Sequence, residues 1–437
     1  MNAFLFYMDR MYFLSSARFR GGIQSRAELE AEYQKEIAKF QDSLEKLGSG
    51  LEIRQLTTKG IYNQGPTIHK DTAFPGGKDE VIFAAFRENA TLLMSGNLKN
   101  GTLTIHDVQP GRYPATGDER RDFFRNIRYQ GIDIAASLRH RKVAVARQGS
   151  RELRLIDLDS HAVRQAIPEE PTGWSVSAPI FSADGKRLIF CERSEALKKN
   201  SRQNPQWPMF YQSIGLDGNN LRALYFHPWG QTHIFPNPVK PELWIVKCGR
   251  PEFYSRGEAR EQADREPDTF ILNAGTAATT PLLPRNPNKR VTHLSWNHDG
   301  TRIVYHGQAK GGGNFIGAMT SEGKVLWEHI FADWNFKRNG SNHICADTVG
   351  DFIIDDGIAV PGQLSLLDYR NAGTAGAPAI YPIAGWQNEW TGLPYQLSHP
   401  HPAVSPDGRY LVFYGCRGGR THVYCVDLQP LRSQLGR

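Results

Sequence analysis

The stretch Phe181-Ser-Ala-Asp-Gly-Lys-Arg187 is one of three copies of a single turn, and this repeat decides the fold. The other copies are Trp296-Asn-His-Asp-Gly-Thr-Arg302 and Val404-Ser-Pro-Asp-Gly-Arg-Tyr410. In each copy an apolar residue and a short polar step precede Asp-Gly, whose glycine accepts the positive φ angle that a tight hairpin demands. A degraded fourth copy is Phe74-Pro-Gly-Gly-Lys-Asp-Glu80. These stretches therefore predict β-hairpins of one recurring kind.

The spacing of the turns indicates how many blades the chain forms. Their glycines, at positions 77, 185, 300 and 408, are separated by 108, 115 and 108 residues, about twice the length of a propeller blade. Weaker strand starts lie in the three gaps, near His140, Pro238 and Gly350. We call these four glycines and three strand starts the seven marks. They precede strand-like runs at 80–85, 142–146, 187–190, 243–246, 302–305, 351–354 and 410–413. This spacing predicts an all-β, seven-bladed β-propeller, with a pair of β-sandwiches or a barrel as the alternative.

Composition agrees with one large folded unit. The chain has 437 residues, of which 40% are hydrophobic and 22% charged, so it is too apolar to be disordered. No run approaches the roughly 18 apolar residues of a membrane helix. The five cysteines form no Cys-x-x-Cys pair, which argues against a disulfide framework or a cysteine zinc site. Asp9 and Arg10 interrupt the apolar start, so we expect no signal peptide and a cytoplasmic protein.

A helix is predicted before the propeller. Ser25-Arg-Ala-Glu28 has the pattern of a capping box, and apolar residues follow it at helical spacing until Gly48 and Gly50. We therefore predict a helix at about 25–47 within an N-terminal extension of residues 1–50, followed by the propeller over residues 51–430. The helix would pack on the main body; a dimerisation helix is the alternative.

The densest candidate for chemistry is Gln396-Leu-Ser-His399-Pro-His401-Pro402. In an extended segment residues two apart point the same way, so His399 and His401 would share one side. Pro400 and Pro402 favour extended geometry in the residues before them. Two imidazoles suit a borderline divalent ion, and the amide oxygen of Gln396 favours a metal harder than zinc. The alternative is a pair of ordinary histidines at the end of a blade.

Histidines recur at the same place in neighbouring blades. His293, His343 and His233 each lie shortly before the first hairpin of a predicted blade, as His401 does. Equivalent positions of successive blades converge on the central channel or one of its rims. Four consecutive blades that bring a histidine to one place are hard to explain by core packing, although independent histidines bonded to backbone remain the alternative.

These elements resemble the oligogalacturonate lyases, which are seven-bladed, manganese-dependent propeller enzymes. The similarity extends from Leu51-Glu-Ile-Arg-Gln-Leu-Thr57 to Val426-Asp-Leu428, and its most specific part is the His-Pro-His-Pro element. The resemblance implies a site made of a catalytic base, His293, and four ligands of Mn²⁺ or another divalent cation, namely His343, Gln396, His399 and His401. It also implies cleavage of a uronic-acid oligosaccharide by β-elimination.

One departure from the family concerns an arginine. The family has arginine immediately before an aromatic-aliphatic run, and the matching run here, Phe270-Ile-Leu272, follows Asp268-Thr269 instead. Arg250 and Arg256, in an apparent insertion at about 250–267, are candidates to replace it in catalysis. An arginine there would bind a carboxylate through two hydrogen bonds.

The expected partner is an anionic oligosaccharide. In the reaction a histidine removes the C5 proton of a uronate while the metal neutralises its carboxylate. The net charge of +7 agrees with an anionic ligand, although it fits nucleic acid equally well. We expect neither nucleic acid nor a membrane as partner, and we assign substrate binding to His233, Trp334 and Tyr395. The alternatives are a lyase for a different uronide and a non-catalytic propeller that binds proteins.

Overall fold

The computed structural model describes the propeller in ranges separated by gaps. These ranges are 51–59, 62–66, 70–77, 79–87, 90–110, 132–147, 150–167, 173–194, 209–227, 233–247, 269–283, 288–309, 311–332, 343–347, 350–371, 377–385, 400–417 and 420–436. The N-terminal extension of residues 1–50, with the helix predicted at about 25–47, lies outside them. Among the described residues no helix is long and apolar enough to cross a membrane.

The described residues form seven four-stranded antiparallel sheets, which are the blades. Blade 1 has β2 (Tyr62–Gln64), β3 (Glu80–Phe86), β4 (Ala90–Asn97) and β5 (Leu103–Pro110). Blade 2 has β6 (Ile132–Ala136), β7 (Lys142–Arg147), β8 (Leu153–Asp157) and β9 (Val163–Ile167). Blade 3 has β10 (Trp174–Phe181), β11 (Arg187–Ser194), β12 (Met209–Gly215) and β13 (Arg222–His227). Blade 4 has β14 (His233–Pro236), β15 (Leu243–Lys247), β16 (Thr269–Asn273) and β17 (Thr279–Pro281).

The last three blades include the closure of the ring. Blade 5 has β18 (Lys289–Trp296), β19 (Arg302–Ala309), β20 (Asn314–Thr320) and β21 (Val325–Phe331). Blade 6 has β22 (Ile344–Ala346), β23 (Phe352–Asp355), β24 (Gln363–Asp368) and β25 (Ala379–Gly385). Blade 7 has β26 (Ala403–Val404), β27 (Tyr410–Arg417), β28 (Arg420–Asp427) and, as its fourth strand, β1 (Ile53–Gln55). Because the first strand of the described residues completes the last blade, the two ends of the propeller are joined.

The repeated Asp-Gly turn forms the first hairpin of blades 3, 5 and 7. Gly185, Gly300 and Gly408 have φ angles of 69°, 70° and 73°. The amide of each glycine donates a hydrogen bond to the carbonyl three residues earlier, at 2.8, 3.0 and 2.7 Å. All seven marks recognised in the sequence fall between the first and second strand of a blade. The prediction of a seven-bladed propeller is therefore confirmed, against the sandwich and the barrel.

The core is divided among the interfaces between blades. Seven apolar clusters fill the described structure, one for each pair of neighbouring blades, including the pair of blades 7 and 1. Each sheet thus buries both faces, which is why its second strands are apolar on both sides. After β28 the chain forms a short helix, α1 (Gln429–Gln434), whose Leu431 packs into the cluster between blades 6 and 7.

The direction of the strands places the site. The first strand of each blade lies innermost, and the first strands of blades 4 to 7 approach one another around the centre. Since neighbouring strands are antiparallel, the second strand of each blade ends where the first begins. We call this end of the propeller the upper face and the opposite end the lower face.

Candidate functional site

Blade 5 contributes a pair of histidines near the upper face. His293 on β18 lies opposite His306 on β19, and Nδ1 of His293 is 2.9 Å from Nε2 of His306. A β-bulge between Val291 and His293 sets this register, because it shifts His293 by one residue relative to the start of the strand. His306 is fully buried. The second strand of the blade therefore provides, through His306, a buried hydrogen-bond partner for the ring of His293.

Blade 6 contributes His343, immediately before β22. Its backbone N–H donates to Oδ1 of Asp356 at 2.6 Å, and its Nδ1 is 3.1 Å from Oδ2 of the same carboxylate. His343 and Asp356 are both buried. Because the carboxylate accepts the proton of Nδ1, the basic lone pair of the neutral ring lies on Nε2.

The turn after β23 holds Asp356 in place. Oδ2 of the preceding residue, Asp355, accepts hydrogen bonds from the backbone N–H groups of Gly357, Ile358 and Ala359 at 3.1, 2.6 and 2.9 Å. Burial, opposed by these donors and reinforced by the charge of Asp356, raises the pKa of Asp355 to about 7. Two adjacent carboxyl groups thus have different tasks: Asp355 fixes the turn and Asp356 orients His343.

Blade 7 contributes His401, which lies two residues before the start of β26. The ring of His343 is 4.3 Å from that of His401, measured between centroids, and the ring of His293 stacks on the same His343 ring at 5.3 Å. Three successive blades therefore bring His293, His343 and His401 into one cluster at the upper face. His306 completes this group, which we call the histidine cluster.

The backbone at His401 differs from the expectation. The prolines on either side predicted an extended segment, but His401 has a φ angle of 43°, in the left-handed region. The amide of Tyr414 on β27 donates to the carbonyl of Pro400 at 2.8 Å, which anchors the chain just before it bends into β26. Such a conformation costs about 1–3 kcal/mol and is typical of functional sites. The extended geometry predicted for this segment is therefore wrong at His401.

The other predicted site residues fall into two groups. His233 is at the start of β14, beside Phe235 on its own strand and opposite Lys247, rather than in the ring contacts of the histidine cluster. Six predicted residues lie outside the described ranges: Arg250, Arg256, Trp334, Tyr395, Gln396 and His399. Of the four predicted metal ligands, the structure thus describes His343 and His401. Within the described ranges, no group of three or more His, Cys, Asp or Glu side chains is placed to hold a metal ion.

Blade 4 places a lysine next to His233. Lys247, the last residue of β15, is only 6% exposed and pairs across the strands with His233. Burial, and then the positive charge of Lys247, lower the pKa of His233 to about 4. His233 is therefore a neutral ring at neutral pH.

Sequence reasoning missed three of these residues. His306, Asp356 and Lys247 lie on or just after second strands, and each acts on a histidine of the first strand. A sequence signal existed for the first strands, because their histidines precede recognisable turns. No comparable signal marked their partners, since pairing across strands depends on register.

Comparison with known proteins gives a structural likeness only. No protein-family model matches the chain, and no curated protein sequence matches it. An oligogalacturonate lyase solved in complex with manganese has a TM-score of 0.65 and 16% identity, covering 89% of this chain and 96% of that one. An oligogalacturonate lyase from Vibrio parahaemolyticus has a TM-score of 0.67 and 14% identity, covering 89% and 97%.

A third solved structure has a similar fold and belongs to a different enzyme. Hydrazine synthase from Kuenenia stuttgartiensis has a TM-score of 0.50 and 11% identity, covering 84% of this chain and 97% of that one. At such identities a likeness establishes the fold and leaves activity open. The resemblance seen in the sequence is thus confirmed for the fold: the chain is a seven-bladed β-propeller, similar in fold to two oligogalacturonate lyases.

Proposed function

We propose that this protein is a metal-dependent lyase that cleaves uronic-acid oligosaccharides by β-elimination. The observation that carries the proposal is the histidine cluster, in which three successive blades bring His293, His343 and His401 together at one face of the propeller. A cluster of imidazoles offers a proton acceptor and metal-binding nitrogens within one small volume. Both are needed to remove a weakly acidic proton next to a carboxylate.

His293 is the proposed base. Its Nδ1 lies 2.9 Å from Nε2 of His306, so one hydrogen bond joins these two atoms. For His293 to act as a base, its Nδ1–H must donate to His306, which places the basic lone pair on Nε2. His306 is then an acceptor that fixes this tautomer and stabilises the imidazolium formed when His293 takes up a proton.

His343 and His401 are the proposed metal ligands within the described residues. The donor set fits a divalent cation, because Asp356 accepts from Nδ1–H of His343 in the manner by which carboxylates orient metal-binding imidazoles. Gln396 and His399 would add an oxygen and a nitrogen, a mixed set that suits Mn²⁺. When bound, such a cation supplies Lewis-acid stabilisation of the charge that develops on the carboxylate of the substrate.

The reaction then follows from the position of the base. His293 takes the C5 proton of the uronate, the bond between C4 and the glycosidic oxygen breaks, and a C4–C5 double bond forms. The leaving oxygen takes a proton from water. Arg250 and Arg256 remain candidates to bind the carboxylate, and His233, Trp334 and Tyr395 remain candidates to contact the sugars.

The cellular setting is part of the same proposal. Cys191, Cys345 and Cys425 are buried free thiols, which agrees with a reducing compartment such as the cytoplasm. Burial raises the pKa of Cys191 to about 12, so this thiol is not a nucleophile in the reaction. The expected ligand is an anionic oligosaccharide rather than a membrane or a nucleic acid.

The test is a direct assay with and without metal. Purified protein, treated with chelator and reloaded with Mn²⁺, is incubated with oligogalacturonates and with other oligouronides, and the absorbance of the conjugated product is followed. We expect a rise only with the metal and only with a uronide. If no uronide gives a product and the protein retains no metal, the lyase proposal is wrong and a protein-binding propeller becomes the better reading.

A further inference from the structure

The short helix α1 lies at the lower face of blades 6 and 7, and the mechanism above does not use it. The third strand of blade 7, β28, runs to the lower face, and α1 follows it directly. Leu431 of the helix packs into the apolar cluster between the two blades. Just after the helix, the carbonyl of Leu435 accepts a hydrogen bond from Nη1 of Arg370 in blade 6 at 2.7 Å. The helix is therefore attached to both blades.

Arg432 of this helix joins the first turns of the two blades. Its Nη1 donates to the carbonyl of Gly408, in the Asp-Gly turn of blade 7, at 3.1 Å. The same nitrogen lies 3.6 Å from Oδ2 of Asp347, in the first turn of blade 6. The side chains of Arg432 and Asp347 are only 12% and 3% exposed, so their charges attract each other more strongly than charges at the surface do. A Cβ atom at Gly408 would collide with the guanidinium, which explains why glycine is needed there.

Blades 4 and 5 have the same kind of link without an arginine. Asn237 follows β14 as Asp347 follows β22, and each donates its backbone N–H to the carbonyl of the first residue of the next strand. Nδ2 of Asn237 donates directly to the carbonyl of Gly300, in the Asp-Gly turn of blade 5, at 2.8 Å. An ionised carboxylate has no proton to donate to the carbonyl of Gly408. Arg432 supplies the donor that Asp347 lacks, and we call this contact between blades 6 and 7 the Arg432 link.

The linked strands lead to two of the proposed metal ligands. Strand β22 has three residues and β26 has two, so each pairs with its second strand over a very short length. His343 immediately precedes β22 and Asp347 immediately follows it, roughly 13 Å away along an extended chain. His401 stands before β26 in the same way, and Gly408 lies in the turn after it. The position of each imidazole therefore depends on how the lower end of its strand is held.

We propose that Arg432 is a positioning residue for the metal site, because its link between the first turns of blades 6 and 7 fixes the spacing of His343 and His401. This inference rests on the proposed function, which takes these two imidazoles as ligands of a divalent cation. Their ring centroids are 4.3 Å apart, and the two rings belong to different blades. Loss of the arginine would leave the buried carboxylate of Asp347 without this compensating charge, so the two turns would shift relative to each other.

The first test measures metal binding. Wild-type protein, Arg432→Met and Arg432→Lys are treated with chelator and titrated with Mn²⁺. Arg432→Met should lower the affinity about 3- to 30-fold, the size of effect that a contact remote from a site typically has. Arg432→Lys should recover part of the loss, because an ammonium keeps the charge but cannot present the two-sided fork of a guanidinium.

A double variant shows whether Arg432 and Asp347 act through one link. Asp347→Asn removes the charge that faces Arg432 but keeps an oxygen for the amide of Gly350, which donates to Oδ1 at 2.7 Å. Residues that act through one contact have effects that do not add. Arg432→Met/Asp347→Asn should therefore bind Mn²⁺ no more weakly than Arg432→Met alone. If the two losses add in full, the two residues act separately and the Arg432 link is wrong.

Arg409→Met is the matched control. Arg409 adjoins the same turn at the lower face, but its guanidinium bonds to Asp427 of its own blade, at 2.9 and 3.1 Å. This variant removes an arginine charge without removing a contact to blade 6, so its affinity for Mn²⁺ should equal that of the wild type. Thermal melting of all variants separates damage to the fold from an effect on the site.

A second measurement does not depend on the metal. NMR of protein with ¹³C-labelled histidine rings follows His343 and His401 directly, and His343→Gln and His401→Gln assign their signals. Because the chemical shift of an imidazole depends on the ring beside it, Arg432→Met should move both signals and Arg409→Met neither. The inference is overturned if Arg432→Met leaves the two signals in place, or if the wild-type protein binds Mn²⁺ and Arg432→Met binds it equally well.

The outcomes separate the two proposals. If the wild-type protein cleaves oligouronides but Arg432→Met matches it in ring signals and Mn²⁺ affinity, the Arg432 inference fails and the lyase proposal stands. If the wild-type protein neither binds Mn²⁺ nor cleaves any uronide while Arg432→Met moves the two signals, the lyase proposal fails. The placement of His343 and His401 by Arg432 then stands without it.

Discussion

The protein contains two histidine pairs of almost equal geometry at opposite ends of the propeller. In the pair of His293 and His306 the ring centroids are 5.0 Å apart and the closest nitrogens 2.9 Å. In the pair of His106 and His161 the corresponding distances are 5.1 and 3.1 Å. Geometry within the pair therefore does not distinguish a candidate catalytic pair from a structural one.

The surroundings of the two pairs are different. His106 lies on β5, the outermost strand of blade 1, and its Nε2 is 2.8 Å from the hydroxyl of Ser95 on β4. His161 lies in the turn between β8 and β9, at the lower face, with a φ angle of 57°. Both ring nitrogens of His106 thus bond within the protein, whereas His293 stacks on the histidine of the next blade. The comparison teaches that two features distinguish the pair of His293 and His306 as a candidate site: its position at the upper face of the propeller and its contact with a third imidazole.

The largest expected effect is the loss of the proposed base. His293→Ala should lower kcat about 10²- to 10⁴-fold, because a general base contributes an acceleration of that size. The metal content should stay that of the wild type, since His293 is not a proposed ligand. Product absorbance measures the rate and elemental analysis the metal. Full activity in this variant would show that another group takes the C5 proton.

A smaller effect is expected from the partner of the base. His306→Leu removes the acceptor for Nδ1–H of His293, so the tautomer and the ring orientation are no longer fixed. Misplacement of a reacting group by about 1 Å costs on the order of 10² in rate, and we expect a loss of this size in kcat. His306→Gln, which retains an acceptor, should recover part of it.

The contrast between these two variants is itself informative. If His306→Leu lost as much activity as His293→Ala and His306→Gln recovered none, His306 rather than His293 would be the base. A pH profile of kcat/KM for His306→Leu should shift, because the basicity of His293 depends on the acceptor. A purely structural role for His306 would lower the melting temperature and leave the pH profile unchanged.

The next effect concerns the metal. Asp356→Asn keeps the shape of the side chain but replaces an oxygen that accepts from Nδ1–H of His343 with a donor or a neutral acceptor. Loss of such a contact typically lowers metal affinity about 10- to 100-fold. Titration of the chelator-treated protein with Mn²⁺ measures the change. If the affinity of the variant equalled that of the wild type, Asp356 would serve only the backbone of His343.

Local features of the sequence were sufficient to predict the closed ring of seven blades. The Asp-Gly turns and the β-branched runs that follow them are read within about ten residues, and each mark fell in the first hairpin of a blade. The histidines of the site were found for the same reason, since His293, His343 and His401 stand next to these marks.

The remaining parts of the site depend on contacts between strands. His306 faces His293 only because a bulge after Val291 shifts the register by one residue, and no sequence pattern marks that bulge. The conformation of His401 was wrongly expected to be extended, because the preference of a residue before proline yields here to the anchoring of Pro400 by Tyr414. Lys247 was missed because a lysine at the end of a strand is normally exposed to solvent.

The smallest effect on catalysis should come from the second pair. His106→Leu removes the bonds to His161 and to the hydroxyl of Ser95, yet it should leave kcat, KM and metal content unchanged. Because His106 is 3% exposed, the groups that it leaves without a partner should lower the free energy of unfolding by about 1–3 kcal/mol, measured by urea denaturation.

Ser95→Ala is the matched variant for this pair, since it removes the hydrogen bond between Ser95 and His106 and creates little empty space. It should cost less than His106→Leu, about 0.5–1.5 kcal/mol, again with no change in turnover. A loss of activity in either variant would mean that the outer strand of blade 1 is coupled to the upper face. The two histidine pairs would then differ only in the size of their effect on activity, and position in the propeller would no longer be a sufficient criterion for the site.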